Sequence, residues 1–446
     1  MRCCPGRWVA EGGPERPVRQ RDPRARKGVA RILLVVLVLA VMALLLARWA
    51  LQPERAGNLL LRRAGSALGL QIEAQSIDYR LRGTPQLVLR EVTARQPGQQ
   101  TALLAARRVF VSLPWRTIRA RGADLTARRI ELDAPVLDVP ALQRWLATRP
   151  PGGETRIPVL TDGLRVADGR IVNDSWTIDG LDLEIAALHP EQPLHARVRG
   201  RYQDPPIRVP ADLAITVAHP RRAVSGAATG IAAVGTLAVA QAGWRAPMHI
   251  TLSGPFRLGK DSVVMRPARV GMAGHYLSQS TRLGFRLGLH GPMAFNNATW
   301  RMVPVSAVLD GDRAIPDARA RGSVSIGRQL RLHLDGRIAS WPDAWPALPP
   351  PLAGQRGPMQ FALDYRGRLA FQDVAALELR RDATRFDARF RLPAVLDWTA
   401  AMHSGTPLPP LDGRLTTPAL VIAGAQLSGV EIEIDDPALP GIDGNP

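Results

Sequence analysis

Apolar and polar residues alternate along most of the chain after residue 70. In residues 283–289 (LGFRLGL), 330–334 (LRLHL) and 430–434 (VEIEI), every second residue is apolar. This period of two places the apolar side chains on one face of a strand. The chain also contains 40 glycines and 39 prolines, as is typical of short antiparallel strands joined by turns. The pattern predicts a mainly β fold, an elongated and curled antiparallel sheet with a few short helices.

Three segments have the helical period of 3.6 residues instead. Residues 54–70 are predicted to form a short amphipathic helix. Residues 140–148 (PALQRWLAT) place a proline in the first helical turn, where its missing N–H is not needed. Residues 395–403 are the third predicted helix. No heptad repeat is present, so a coiled-coil adaptor is not predicted.

Roughly two dozen strands that are apolar on one face must cover that face with something. A sandwich or a closed barrel would fill it with its own side chains. A long sheet curled along its length would instead leave an apolar groove, which lipid tails could fill. The candidate groove-lining residues are Leu87, Leu89, Val109, Val111, Leu283, Phe285, Leu287, Leu330, Leu332, Phe386 and Phe390.

Residues 32–47 (ILLVVLVLAVMALLLA) are wholly apolar, which favours a transmembrane helix over a buried core helix. Long arginine side chains can reach the headgroups, and tryptophan suits the interface, so a span over residues 32–51 is long enough. The predicted anchor residues are Arg31, Ile32, Ala47, Arg48 and Trp49. A cleaved signal peptide is disfavoured, because Arg48 and Trp49 stand where cleavage requires small residues.

The distribution of charge orients this span. Residues 1–31 contain nine basic and three acidic residues, so the positive-inside rule predicts a cytoplasmic tail and export of everything after residue 51. The only two cysteines, Cys3 and Cys4, lie in the tail, and no disulfide framework is expected beyond it. The net charge is +19, but the arginines are dispersed and aromatic residues make up 5%. This favours anionic lipid headgroups over nucleic acid as the partner.

The sequence contains no recognisable catalytic motif. Its eight histidines are scattered, and none forms a His-Glu-x-x-His pattern. A Gly-x-Ser-x-Gly elbow, a P-loop and a dinucleotide fingerprint are also missing. We therefore expect no enzymatic activity, and we assign no catalytic, metal-ligating or cofactor-binding residue.

The order of basic tail, single span, short helix and paired strands resembles the AsmA-like proteins of the Gram-negative envelope. Residues 103–105 (LLA), 109–113 (VFVSL) and 130–137 (IELDAPVL) look like the family's strand motifs, within a matching stretch over residues 68–150. Residues 411–427 resemble its closing strands. The resemblance implies a periplasmic β-groove anchored in the inner membrane and connected with lipid movement or outer-membrane homeostasis. The family supplies no catalytic residues.

This resemblance and the pattern give a provisional organisation. It comprises a tail (1–31), a transmembrane helix (32–51), an AsmA-like N-terminal β region (52–150) and a further periplasmic β region (151–446), with a candidate break near residues 346–357. The predicted function is to bind or conduct lipid chains, with phospholipid or another acyl lipid as ligand and envelope proteins as further partners. The alternative is a structural or adaptor component of an envelope or secretion assembly, and an enzyme acting on cell-wall glycans ranks third.

Overall fold

The computed structural model separates the chain into two units, residues 1–60 and residues 61–446. The structure describes residues 61–63, 65–66, 68–120, 123–148, 156–259, 262–278, 282–296, 299–311, 315–339, 342, 358–369, 371–401, 409–422, 425–437 and 439. The predicted tail, the span and its anchor residues lie outside the described residues, as does most of the predicted helix 54–70. No helix in the described ranges has the length and apolar character needed to cross a bilayer.

The fold is mainly β, as predicted. The strands are β1 (Gln71–Glu73), β2 (Ser76–Arg80), β3 (Gln86–Arg95), β4 (Ala102–Ser112), β5 (Thr126–Ala127), β6 (Arg129–Asp133), β7 (Val136–Asp138), β8 (Val159–Leu160), β9 (Leu164–Val172), β10 (Thr177–Ile185), β11 (Leu194–Asp204), β12 (Ile207–Val217), β13 (Thr229–Gln241), β14 (Trp244–Leu258), β15 (Ser262–Ser278), β16 (Arg282–Asn296), β17 (Thr299–Gly311), β18 (Ala318–Ile326), β19 (Leu330–Ile338), β20 (Met359–Gly367), β21 (Ala375–Arg381), β22 (Thr384–Phe390), β23 (Leu411–Ile422) and β24 (Ala425–Ile434).

The helices that the structure bounds are α1 (Trp115–Arg119), α2 (Val139–Ala147), α3 (Pro220–Val224) and α4 (Leu392–Ala401). Residues 61–63, 65–66 and 68 are also helical and lie within the predicted helix 54–70. Helix α2 confirms the helix predicted at residues 140–148. The Ala141 backbone N–H donates to Asp138 Oδ1 at 2.7 Å, which caps the N-terminus, and Pro140 lies in the first turn. Helix α4 overlaps the predicted helix 395–403. The one-turn helices α1 and α3 were not predicted, because five residues are too few to show a helical period.

Twenty-two strands form one long, curled sheet, and β5 and β8 form a separate small one. From β9 to β24 each strand pairs antiparallel with the next in the chain. The sheet is nevertheless mixed, because β9 pairs parallel with β6 and β7. The prediction of a purely antiparallel sheet was therefore wrong at this point. The chain between Asp133 and Leu164 includes α2 and is long enough for the crossover that a parallel pair requires.

A line of β-bulges crosses strands β14 to β17. The register shifts lie between Ser253 and Phe256, Met265 and Ala268, His290 and Met293, and Met302 and Val305. A proline stands in each interval (Pro255, Pro267, Pro292 and Pro304). Proline has no N–H for the ladder, and bulges bend the strands that carry them. The aligned bulges therefore crease the sheet along one line near the ends of these strands.

Beyond this crease the apolar side chains are packed. Phe256, Met265, Met302 and Val305 are at most 6% exposed, and they form one cluster with Ala223 of α3. Three smaller clusters lie elsewhere, one around Leu61, Ile77, Leu89 and Val92 and two within β19–β22. The buried apolar residues are thus distributed in local clusters along the sheet.

Candidate functional site

One apolar row runs across the sheet. Directly paired residues on twenty strands, from β2 to β24, form a line that contains no polar side chain other than one tyrosine hydroxyl. With strands about 4.8 Å apart, the row is on the order of 90 Å long. Its members are Tyr79, Leu87, Val111, Ile130, Leu164, Ile185, Ala196, Ile215, Ala233, Leu252, Val270, Leu289, Ala307, Ala320, Gly336, Phe361, Leu379, Phe386, Leu415 and Ile432. We call the face that carries this row the apolar face and the opposite one the polar face.

The first twelve members of the row, from Tyr79 to Leu289, are all partly exposed. Burial begins farther along, where Ala307 is 7%, Leu379 2% and Leu415 5% exposed. Alternation of burial within single strands identifies the more enclosed face. In β13, Ala233 of the apolar row is half-buried, whereas its neighbour Ala232 on the polar face is exposed. The apolar row is therefore incompletely buried over strands β2 to β16, although local clusters fill the face around Ile77 and Leu89 and at the creased end of β14 to β16.

The two ends of the middle strands differ. At the creased end the cluster around α3 closes the apolar face. At the other end Trp244 stacks on Tyr276, with ring centroids 5.6 Å apart and an interplanar angle of 30°. Burial raises the pKa of Tyr276, and the negative charge of Asp397 in α4 raises it further.

All eleven residues predicted to line a groove lie on the apolar face, on strands β3, β4, β16, β19 and β22. Leu89 and Leu330 are 6% and 5% exposed and belong to local clusters, so these two are the least accessible to a ligand. The other nine are partly exposed. The predicted anchor residues lie outside the described ranges, and the structure gives no position for them.

Sequence reasoning missed the centre of this face. Strands β12 to β15 contribute apolar residues such as Ile215, Ile250, Leu252 and Val270, all partly exposed. Their alternation with polar residues is visible in segments such as HITLSG, residues 249–254. The alternating pattern therefore also predicts strands here, but the eleven predicted groove-lining residues come from segments with larger aliphatic and aromatic side chains.

The polar face is held together by ion pairs between neighbouring strands. Arg197 donates to Asp212 through Nε (3.1 Å) and Nη2 (2.9 Å), and Arg199 Nε donates to the same carboxylate at 2.8 Å. The hydrogen bonds from Arg197, and then those from Arg199, lower the pKa of Asp212 to about 2. Farther along, His333 Nδ1 lies 2.7 Å from Asp364 Oδ1, and this contact raises the pKa of His333.

A pocket of about 930 Å³ opens on the polar face across strands β12 to β17. Pro247, His249, Ala273, His275, Gly284 and Arg286 are among its lining residues. Within the described part of the chain, no group of three or more His, Cys, Asp or Glu side chains is placed to hold a metal ion.

No family model, no curated protein and no solved structure matches the chain. The resemblance to the AsmA-like family therefore stays a prediction that rests on the quoted sequence motifs.

Proposed function

We propose that this protein binds or conducts lipid chains along the apolar face of its sheet, which forms a groove open to a ligand. The observation that carries the proposal is the apolar row, because twelve successive members from Tyr79 to Leu289 are only partly buried. An apolar surface of this length is unfavourable in water and is typical of a binding surface. Lipid chains fit it because burial of a CH₂ group contributes about 0.8 kcal/mol without any requirement for direction.

The proposed location is the bacterial inner membrane, with the sheet in the periplasm. This part rests on the sequence: the apolar segment 32–47, the basic tail before it and the resemblance of residues 68–150 to AsmA-like proteins. An anchored sheet of this kind would contribute to outer-membrane biogenesis or envelope homeostasis by holding or passing acyl chains. Any energy for directed transport would come from a partner.

Adjacent residues of β17 provide a matched test. Leu309 lies on the apolar face, in register with Leu287, whereas Val308 lies on the polar face and is 48% exposed. A photo-reactive p-benzoylphenylalanine is placed at each position in turn in the full chain, expressed in a Gram-negative host. After irradiation, the purified protein is analysed by intact-mass spectrometry for lipid adducts.

We expect phospholipid adducts at Leu309 and few or none at Val308. Both positions are on the same strand of the same protein, so contact with lipid around the membrane anchor would label them equally. Equal labelling, or a folded protein without adducts at Leu309, would remove the lipid proposal. The adaptor function would then take first place.

A further inference from the structure

Basic residues are concentrated in the middle of the sheet. Strands β13 to β16 contain six arginines, three histidines and no aspartate or glutamate. In contrast, strands β1 to β11 contain 11 arginines and 11 acidic residues, and strands β21 to β24 contain five of each. A general bias of the sequence toward arginine would not produce this difference. The middle of the sheet therefore has an excess of positive charge that its own residues do not balance.

The register brings five of these residues together on the polar face of β14, β15 and β16. Arg245 and Arg282 flank Leu277 at one level, and His249 and Arg286 flank Ala273 four residues farther along each strand. Between these levels stands His275, which is paired with Gly284. Diagonal neighbours in an antiparallel sheet lie roughly 7–8 Å apart. We call Arg245, His249, His275, Arg282 and Arg286 the basic patch.

The patch is open to a ligand. All five side chains are exposed. The pocket of about 930 Å³ includes His249, His275 and Arg286 in its wall, together with Asp212 and Asp310, whereas Arg245 and Arg282 lie outside its wall. Both carboxylates are paired with arginines, Asp212 with Arg197 and Arg199 and Asp310 with Arg286. Proline, alanine and glycine occupy positions between the basic side chains (Pro247, Ala273 and Gly284). These small residues leave the space around His275 free, so that a ligand can approach several basic groups at once, whereas Leu277 lies between Arg245 and Arg282.

The patch has little internal counter-charge. Arg286 Nη2 binds Asp310 Oδ2 of β17 at 2.7 Å. Among the described residues, neither Arg245 nor Arg282 has a carboxylate within 4.0 Å. Arginine binds phosphate oxygens through two parallel N–H groups, and histidine adds a further donor.

We propose that the basic patch is a binding site for a phosphate group carried by a lipid headgroup or by a soluble phosphorylated compound. The site lies on the opposite face of the sheet from the apolar row, so it does not require acyl chains on that row. Arg245 and Arg282 supply the strongest contacts because no carboxylate competes for them. Asp310 competes with the ligand for Arg286.

The test uses the full chain in nanodiscs of phosphatidylcholine with two probes. Vesicles of phosphatidylcholine with phosphatidylglycerol report a lipid headgroup, and glycerol 3-phosphate reports a soluble phosphate. The site variant is Arg245→Gln/Arg282→Gln. The control is Arg165→Gln/Arg201→Gln, which removes two exposed arginines without an ion pair to a described residue from the polar face of β9 and β11. Both variants change the net charge equally.

We expect the site variant to bind on the order of tenfold more weakly than the control, and Asp310→Asn to bind more tightly than the unmodified chain. Weaker binding of both probes by the site variant than by the control indicates a site that accepts any phosphate. If the site variant binds only the vesicles more weakly, the ligand is a lipid headgroup. If it binds only glycerol 3-phosphate more weakly, the ligand is a soluble phosphate. Equal loss in site and control variants, or no binding of either probe by the unmodified chain, would overturn the proposal. Adducts at Leu309, measured in the same site variant, report the apolar face separately.

Discussion

The apolar face of the sheet is constructed in two different ways along its length. In the packed section, strands β19 to β23, Met359 is 0%, Leu379 2% and Leu415 5% exposed. In the open section, strands β10 to β16, row members such as Ile185 and Ile215 remain partly exposed. The two sections share one sheet, one apolar row and the same alternating sequence pattern.

The volume of the side chains contributes to this difference. The packed section places Phe361, Tyr365 and Phe386 on the apolar face, where they fill the space between short strands. The open section has long strands and places Ala196 and Ala233 in the corresponding row. Alternation therefore determines which face is apolar, whereas residue size contributes to how far that face fills itself.

The largest contrast is expected when a charge is introduced into each section. Leu379→Asp should prevent the packed section from folding, because an unpaired carboxylate in a site that is 2% exposed costs several kcal/mol. Leu287→Asp changes a partly exposed residue of the apolar face that is paired with Leu309. It should leave the fold intact and reduce lipid adducts at Leu309. Circular dichroism measures the first effect, and the photo-crosslinking assay measures the second. If both variants unfold, the open section is a core and the comparison fails.

Truncation of the same two leucines should give a smaller difference in the same direction. Leu379→Ala removes a buried side chain and should lower the free energy of unfolding by about 3 kcal/mol. Leu287→Ala removes a half-buried side chain of the apolar face in the open section and should cost about 1 kcal/mol. Urea denaturation of each purified variant gives both values. Equal losses would show that the two sections are packed alike.

The sequence was sufficient to predict a mainly β fold and the helix α2. A period of two is a local property, so segments such as residues 283–289 reveal it without any knowledge of their neighbours. Burial could not be predicted, because it depends on residues that are distant in the sequence. Burial of Leu330 depends on Tyr365 and Ala375, which belong to strands 35 and 45 residues farther along the chain.

The crease was also beyond the sequence pattern. Pro255, Pro267, Pro292 and Pro304 were interpreted as part of the general turn signal, yet all four lie within strands, at bulges. Their alignment becomes visible only when the register is known, because the spacing between them depends on the lengths of the intervening hairpins. The basic patch was hidden for the same reason, since Arg245, His275 and Arg282 become neighbours only through pairing of β14, β15 and β16.

A third prediction concerns the pH dependence of the packed section. Asp364 raises the pKa of His333 through a hydrogen bond and through its charge. Because the pKa of His333 is higher in the folded state than in the unfolded state, where it is about 6.5, the contact stabilises the fold fully at a pH below about 6.5. This stabilisation is lost as the pH rises through the folded pKa. Asp364→Asn should return the pKa of His333 toward its ordinary value. NMR titration of the imidazole measures the shift, and a wild-type value at or below the ordinary one would contradict the contact.

The smallest effect on stability is expected from Asp212 in the open section. Its pH dependence is opposite to that of His333, because stability is lost as the pH falls. Arg197 and Arg199 hold the pKa of Asp212 at about 2, below its unfolded value of about 3.9. The ion pairs of Asp212 therefore stabilise the fold above about pH 4, and this stabilisation is lost as the pH falls toward 2. Arg197→Gln should raise the pKa of Asp212 more than Arg199→Gln, because Arg197 donates two hydrogen bonds and Arg199 donates one. Carboxyl carbon NMR can measure both shifts. A larger shift in Arg199→Gln would mean that the pairing of β11 with β12 differs from the described register.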